Sequence, residues 1–297
     1  MIERAVQIES GGGLVGITTE PASGVDQGLP TFVFLNAGLT HRVGPSRLYV
    51  RMARALADQG FSSLRVDWSG LGDSGARHDN VPVGESLITE TREAMDFLTR
   101  STGARQFVPI GICSGATVSF VTALQDERVV GVALINAQSH LHGESAELGE
   151  ALRARTMTRH SYRIALRSSF SGKNWRKALG GQISIGGVLK PMLLAPIRAV
   201  LGSAKRASLP AFDPVAETRT LTDRGVRVLH IYSEGDEGLD YFQEVLGKQG
   251  AERLADIGAE TEVILGANHV FTLLWTQDRL TTAVCDWARS FAKPPAA

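Results

Sequence analysis

The chain has 297 residues, 31 Lys+Arg against 31 Asp+Glu, 43% hydrophobic and 21% charged residues. That balance excludes a disordered chain, which lacks the apolar surface to offset chain entropy, and a whole-chain nucleic-acid binder, which would be basic. No apolar run of roughly 18 residues is present to span a bilayer. The start, MIERAVQIES, lacks the layout of a signal peptide, and Cys113 and Cys285 are too few for a disulfide framework, so the expectation is a soluble, reduced, cytoplasmic protein of enzyme size.

Apolar and polar positions alternate through Val6, Ile8, Leu14, Val15 and Ile17 around Gly11–Gly13, which predicts an antiparallel hairpin. Thr31–Leu35 (TFVFL) suits a buried parallel strand. Leu48, Met52 and Leu56 recur at helical spacing within Arg47–Gln59, and Gly60 stops that helix. Phe61–Val66 is the next strand, ending at Asp67, and a glycine-rich loop leads to a helix around Glu85–Thr99. Then come a strand at Arg105–Ile110, a helix at Gly115–Leu124 and a strand at Val129–Ile135. Beyond a long interval lie a strand at Val226–Ile231, a helix at Tyr241–Ala255, a strand at Glu262–Leu265 and a helix at Phe271–Phe291. Pro109 counts against the Arg105–Ile110 strand being central, because proline cannot donate to a ladder.

Strands alternating with helices predict a mostly parallel, eight-stranded sheet covered on both faces. The alternation stops between about Ala137 and Ala211, far longer than an ordinary connection. This predicts a core made of residues 1–136 and 212–297 and an inserted helical cap at 137–211. The charge divides at the same place. Residues 141–210 hold 12 basic and three acidic residues, a net of +9, which leaves −9 on the rest.

Gly111-Ile112-Cys113-Ser114-Gly115 falls between a predicted strand and a predicted helix. A sharp strand-to-helix turn strains its central residue, demands small neighbours two positions away on each side, and leaves the next backbone N–H free to stabilise an oxyanion. Gly111 and Gly115 flank Cys113, whereas Ser114 would have Ile112 on one side, so Cys113 is the candidate nucleophile; a buried structural cysteine is the bland alternative. Gly70-Leu71-Gly72-Asp73-Ser74-Gly75 matches a dinucleotide fingerprint, but no helix follows directly to receive a pyrophosphate.

A nucleophile needs a base and the base an orienting acid. His269 lies between the last strand and the last helix, at the strand edge where the Cys113 turn falls, whereas His230 sits inside a strand and reads as core. Asp236 follows Gly235 beyond the Val226–Ile231 strand, with Glu234 as the reserve acid and Asp240 behind it.

With the order nucleophile, Asp, His, the chain resembles the α/β-hydrolase superfamily over nearly its whole length. The resemblance rests on Gly111–Gly115, on Asp67 with Gly70, Gly72 and Ser74, on Gly235-Asp236 and on Asn268-His269. Within it, the loop Asn36-Ala37-Gly38-Leu39-Thr40-His41-Arg42-Val43-Gly44 and Trp175-Arg176-Lys177 look like those of exosortase-associated hydrolases, and thioesterase-like members are similar. The resemblance implies an α/β-hydrolase fold and an oxyanion hole from the backbone N–H groups of Ser114 and Leu39. Gly38, His41, Arg42 and Trp175 are then substrate-pocket candidates, with a structural role the alternative for His41 and Arg42, and Asp67 through Ser74 a pocket wall.

Most of that family uses serine, whereas dienelactone-type members also carry cysteine. A thiolate is a strong nucleophile, and its acyl-enzyme is a thioester that thiols and amines attack well. The sequence therefore predicts a Cys113–His269–Asp236 enzyme acting on an ester or thioester, with no cofactor and no metal. An acyltransferase moving an acyl group to an amine, alcohol or thiol is the alternative, and a hydrolase-fold binding module without catalysis is the reading from another class. The basic cap suits an acidic acyl carrier protein or coenzyme A, or is simply a solvated face.

Overall fold

The computed structural model describes residues 1–9, 13–137, 214–247 and 249–292. The cap expected at 137–211, and Trp175 with it, lies outside the described residues apart from Ala137. The eight strands are β1 (Ile2–Ile8), β2 (Leu14–Glu20), β3 (Thr31–Leu35), β4 (Ser63–Asp67), β5 (Phe107–Ile112), β6 (Gly131–Ile135), β7 (Arg227–Ser233) and β8 (Glu260–Ile264). They form one sheet in the order β1-β2-β4-β3-β5-β6-β7-β8. Only β2 runs antiparallel to its neighbours, β1 and β4; every other pairing is parallel.

Helices α1 (Leu48–Asp58), α2 (Val83–Thr102), α3 (Ser114–Gln125), α4 (Pro214–Asp223), α5 (Glu237–Leu246), α6 (Gly250–Ala255) and α7 (Leu274–Ala288) cover the sheet. Alternate strand residues enter opposite layers, as strand geometry requires. Phe32 and Phe34 of β3 pack with Leu48, Met52 and Leu56 of α1 and with Leu280 and Val284 of α7. Val33 and Leu35 belong to the other layer, with Met95 and Leu98 of α2, Phe120 of α3 and Leu221 of α4. Both faces of the central strands are thus dry, which is why TFVFL reads as a continuous apolar run.

Pro109 does sit in a central strand, opposite Val33 of β3. Phe107 exchanges bonds with the β6 side, accepting from Val130 N–H and donating to Arg128. A regular parallel ladder would next offer the Val130 carbonyl to residue 109. That carbonyl instead accepts from Arg227 N–H of β7 at 3.0 Å, so the donor proline lacks leaves no acceptor stranded.

Other expectations shift in detail. The helix expected at Tyr241–Ala255 is two helices, because the chain turns at Gly247 with φ of 80°. Helix α4 was not anticipated. Its buried stripe is Val215, Thr218 and Leu221, and the polar Thr218 in the middle hides the helical period. The last helix starts at Leu274 rather than Phe271, since Asn268 accepts a bond from Thr272 N–H at 2.9 Å and holds the preceding residues in a turn. Among the described residues no helix is long and apolar enough to cross a membrane.

Candidate active site

Cys113 stands between β5 and α3 at φ 58° and ψ −116°, a conformation that side chains other than glycine rarely adopt. The surroundings enforce it. A Cβ on Gly111 would lie 2.2 Å from the carbonyl carbon of Gly115, and one on Gly115 would lie 2.6 Å from the carbonyl oxygen of Asn36. The small residues on either side of Cys113 are therefore required by backbone contact. Strain of this kind costs on the order of 1–3 kcal/mol and persists only where neighbours over-determine it. The Cys113 N–H donates to Ile135 of β6 at 2.9 Å, and the buried Tyr49 hydroxyl donates to Leu35 and accepts from Ile112 N–H, at 2.9 and 3.0 Å. Tyr49 so ties the last residue of β5 to the last residue of β3. Burial, the largest influence on it, pushes its phenol well above the usual range.

His269 lies in the turn between β8 and α7, with Asp236 Oδ2 2.5 Å from its Nδ1. Cys113 is a second hydrogen-bond partner of the same ring. The bond to Asp236, and then that to Cys113, push the imidazole up to about 10 despite its partial burial. Asp236 is itself buried and caps α5, its Oδ1 accepting from Gly238 N–H at 2.7 Å. Glu234, the reserve acid, faces elsewhere: its Oε2 accepts from Gly266 N–H at 3.0 Å at the surface. The structure thus brings Cys113, His269 and Asp236 together in one chain of bonds and leaves Glu234 outside it. His230 is buried within β7, where it was expected.

Sequence reading passed over Asn136. It follows β6 with φ of 47° and is fully buried. Its Nδ2 donates to the backbone carbonyl of His269 at 2.8 Å and to Ser233 Oγ, and its Oδ1 accepts from Ser233 N–H. It fixes the backbone that presents the imidazole. The available signal was a polar residue ending an apolar strand at the sheet edge where Cys113 and His269 converge.

On the other side of Cys113, residues 37–40 form a turn closed by Thr40 N–H on Ala37 at 3.0 Å. Gly38 N–H donates to Ser114 Oγ at 2.9 Å. Ser114 heads α3, where a helix offers its N–H no acceptor, and the Leu39 side chain is 90% exposed. The guanidinium of Arg42 pairs with Asp67 through Nη1 and with Asp73 through Nη2. Burial opposes its charge, but the bonds from Asp73 and Asp67 outweigh it and hold the group above the ordinary arginine value. His41 is exposed at the surface beside it.

A family model described as the alpha/beta hydrolase fold matches residues 30–168. An esterase from Pyrococcus furiosus superposes with a TM-score of 0.58 at 16% identity, covering 98% of this chain and 91% of its own. Est1E from Butyrivibrio proteoclasticus gives a TM-score of 0.58 at 14% identity, with 97% and 99% covered. A dienelactone hydrolase from Anabaena variabilis gives 0.56 at 14% identity, with 97% of each chain covered. The fold is that of the α/β hydrolases. No curated protein sequence matches the chain. At such identities the likeness carries the fold alone.

Proposed function

We propose that this α/β-hydrolase-fold protein forms an acyl-enzyme at Cys113 from an ester or thioester and releases the acyl group to water. One observation carries the reading: a cysteine held at φ 58° at the head of a helix shares hydrogen bonds with an imidazole whose Nδ1 faces a buried carboxylate at 2.5 Å. In this mechanism Cys113 Sγ attacks the carbonyl carbon, the S–C bond forms, and the carbonyl π pair moves to oxygen. The Ser114 N–H and a donor of the 38–39 turn take up that charge. As the π bond re-forms, the bond to the leaving oxygen or sulfur breaks, and the His269 imidazolium gives the leaving group its proton. Water then attacks the thioester, the neutral imidazole takes its proton, and the Cys113 thiolate departs. Asp236 keeps the ring in its working orientation throughout.

The sulfur favours a second reading of the same site, transfer of the acyl group to an amine, alcohol or thiol. Exchange between a thioester substrate and a thioester enzyme is nearly balanced in energy, and amines attack thioesters well. The cysteine subgroup resembling exosortase-associated and thioesterase-like members fits this chemistry. The net +9 between residues 141 and 210 would steer an anionic acyl donor such as an acidic carrier protein or coenzyme A.

Incubation with coenzyme A thioesters and p-nitrophenyl esters, followed by mass spectrometry, tests the reading. The expected result is one acyl mass on the Cys113 peptide, absent in Cys113→Ala. Free acid in the same yield with and without an amine acceptor would reject transfer. A rate with carrier-bound acyl donor that ignores added salt would reject electrostatic steering.

A further inference from the structure

The segment 36–42 carries the donor turn, yet Gly38 and Leu39 at its tip are exposed and pack against little. Its supports converge on one carboxylate. Asp67, the last residue of β4, is fully buried. Its Oδ1 accepts from the backbone N–H of Arg42 and from Asn36 Nδ2, the latter at 3.2 Å, and its Oδ2 accepts from Arg42 Nη1. Asn36 starts the segment and Arg42 ends it, so one carboxylate grips both ends. The same Asn36 Nδ2 donates to Thr40 at 3.0 Å, and Asn36 Oδ1 accepts from Trp68 N–H at 2.9 Å. The carboxylate is in turn fixed from behind. Ser74 Oγ donates to the Asp67 carbonyl at 2.7 Å and accepts from Val15 N–H of β2. Gly72 clears the space, since a Cβ there would lie 2.0 Å from Asp67 Oδ2.

We infer that Asp67 is a positioning residue that sets the distance between the 38–39 donor turn and Cys113, with Arg42 as its clamp. The inference rests on the acyl-enzyme reading for its kinetic consequence, and on geometry alone for the clamp itself. The turn is held from two sides, by Asp67 at its base and by the Gly38 bond to Ser114 Oγ at its tip. Every atom that faces the Asp67 carboxylate within this cluster is a donor. Asp67→Asn keeps the shape but turns one acceptor into an NH₂ that meets Arg42 or Asn36 donor to donor, so the turn must shift. Reactions that build charge on a carbonyl oxygen lose a donor, while reactions that need only the thiolate do not.

Two reactions of the same sulfur separate these cases. Iodoacetamide alkylates Cys113 by displacement, with no oxyanion, whereas p-nitrophenyl acetate acylates it through one. In Asp67→Asn, acylation should fall on the order of 100-fold, the loss typical of one displaced oxyanion donor, with alkylation within about twofold of wild type. Equal losses in both reactions, or none in either, would overturn the inference. If Asp67→Asn does not fold, Arg42→Gln carries the test, with acylation down about tenfold and alkylation unchanged; parallel rates there overturn it too. Amide hydrogen exchange over residues 36–42 is the readout that needs no turnover. Faster exchange there, with the β5–α3 peptides unchanged, supports the clamp, and unchanged exchange refutes it. A wild type that alkylates but never acylates would defeat the acyl-enzyme reading, and exchange would still judge the clamp.

Discussion

Asp67 and Asp236 are both buried, and both stand at the C-terminal edge of the sheet, one ending β4 and the other following β7. Their surroundings give them opposite work. Around Asp67 the donors are an arginine, an asparagine amide and a backbone N–H, which occupy both oxygens. Asp236 gives Oδ1 to one backbone N–H and keeps Oδ2 for the imidazole of His269. A carboxylate whose oxygens are both occupied can only hold structure; one with an oxygen left for a titrating ring can set that ring's charge. Near each stands a fully buried asparagine that stitches neighbouring strand ends together: Asn36 beyond β3 bonds Asp67 and Trp68, and Asn136 beyond β6 bonds Ser233 and the His269 carbonyl. The turn at Cys113 lies between these two arrangements, one holding residues 36–42 and the other His269.

The largest effect should come from breaking the second arrangement. Asp236→Asn leaves the shape but offers an amide to the ring, and acyl turnover should fall roughly 10³–10⁴-fold, as expected when the orienting acid is lost. The same change bears on pH. The folded-state value of His269 is raised above its ordinary 6.5 to about 10, so its charge contributes stability fully below 6.5, and that contribution fades as pH rises through 10. An NMR titration of the ring should find its midpoint near 10 in the wild type and closer to 6.5 in Asp236→Asn; identical midpoints would show that Asp236 does not hold the charge.

Asp67→Asn comes next, near 100-fold on acylation alone, and by sparing alkylation it sharpens the contrast between the two carboxylates. Asn136→Ala should rank below it in rate but lower stability by about 2 kcal/mol, because it strands the Ser233 N–H and the His269 carbonyl, which denaturant unfolding would register. Glu234→Gln should change turnover less than about twofold, since Glu234 binds an exposed backbone N–H away from the ring. A loss comparable to that of Asp236→Asn would dissolve the distinction between the two acids.

The strands, the strained turn at Cys113 and the places of His269 and Asp236 just past strand ends were legible because each follows from a local rule: apolar runs, small residues around a strained turn, and a polar turn just past a strand end. Asp236 was preferred to Glu234 for its place after Gly235 in a turn beyond the strand, and the side-chain directions agree: Asp236 faces the His269 ring, whereas Glu234 accepts from Gly266 N–H. Asn136, Tyr49 and the clamp at Asp67 were illegible for a related reason. Their partners lie far along the chain, from Asn136 to His269, from Tyr49 to Ile112 and from Asp67 to Arg42, and no periodicity links such positions. Arg42 is instructive. Its place after the donor loop suggested a pocket residue or a structural one, and its guanidinium pairs with Asp67 at the end of β4 and with Asp73 on the loop that follows. Thr218 likewise concealed α4 by placing a hydroxyl where the helical period wanted an apolar side chain.

The most direct measurement is intact-protein and peptide mass spectrometry after brief exposure to an acyl thioester. The expected result is a single acyl adduct on the Cys113 peptide, formed within the turnover time and absent from Cys113→Ala, which should also lose turnover. Full activity in Cys113→Ala with no adduct in the wild type would contradict it.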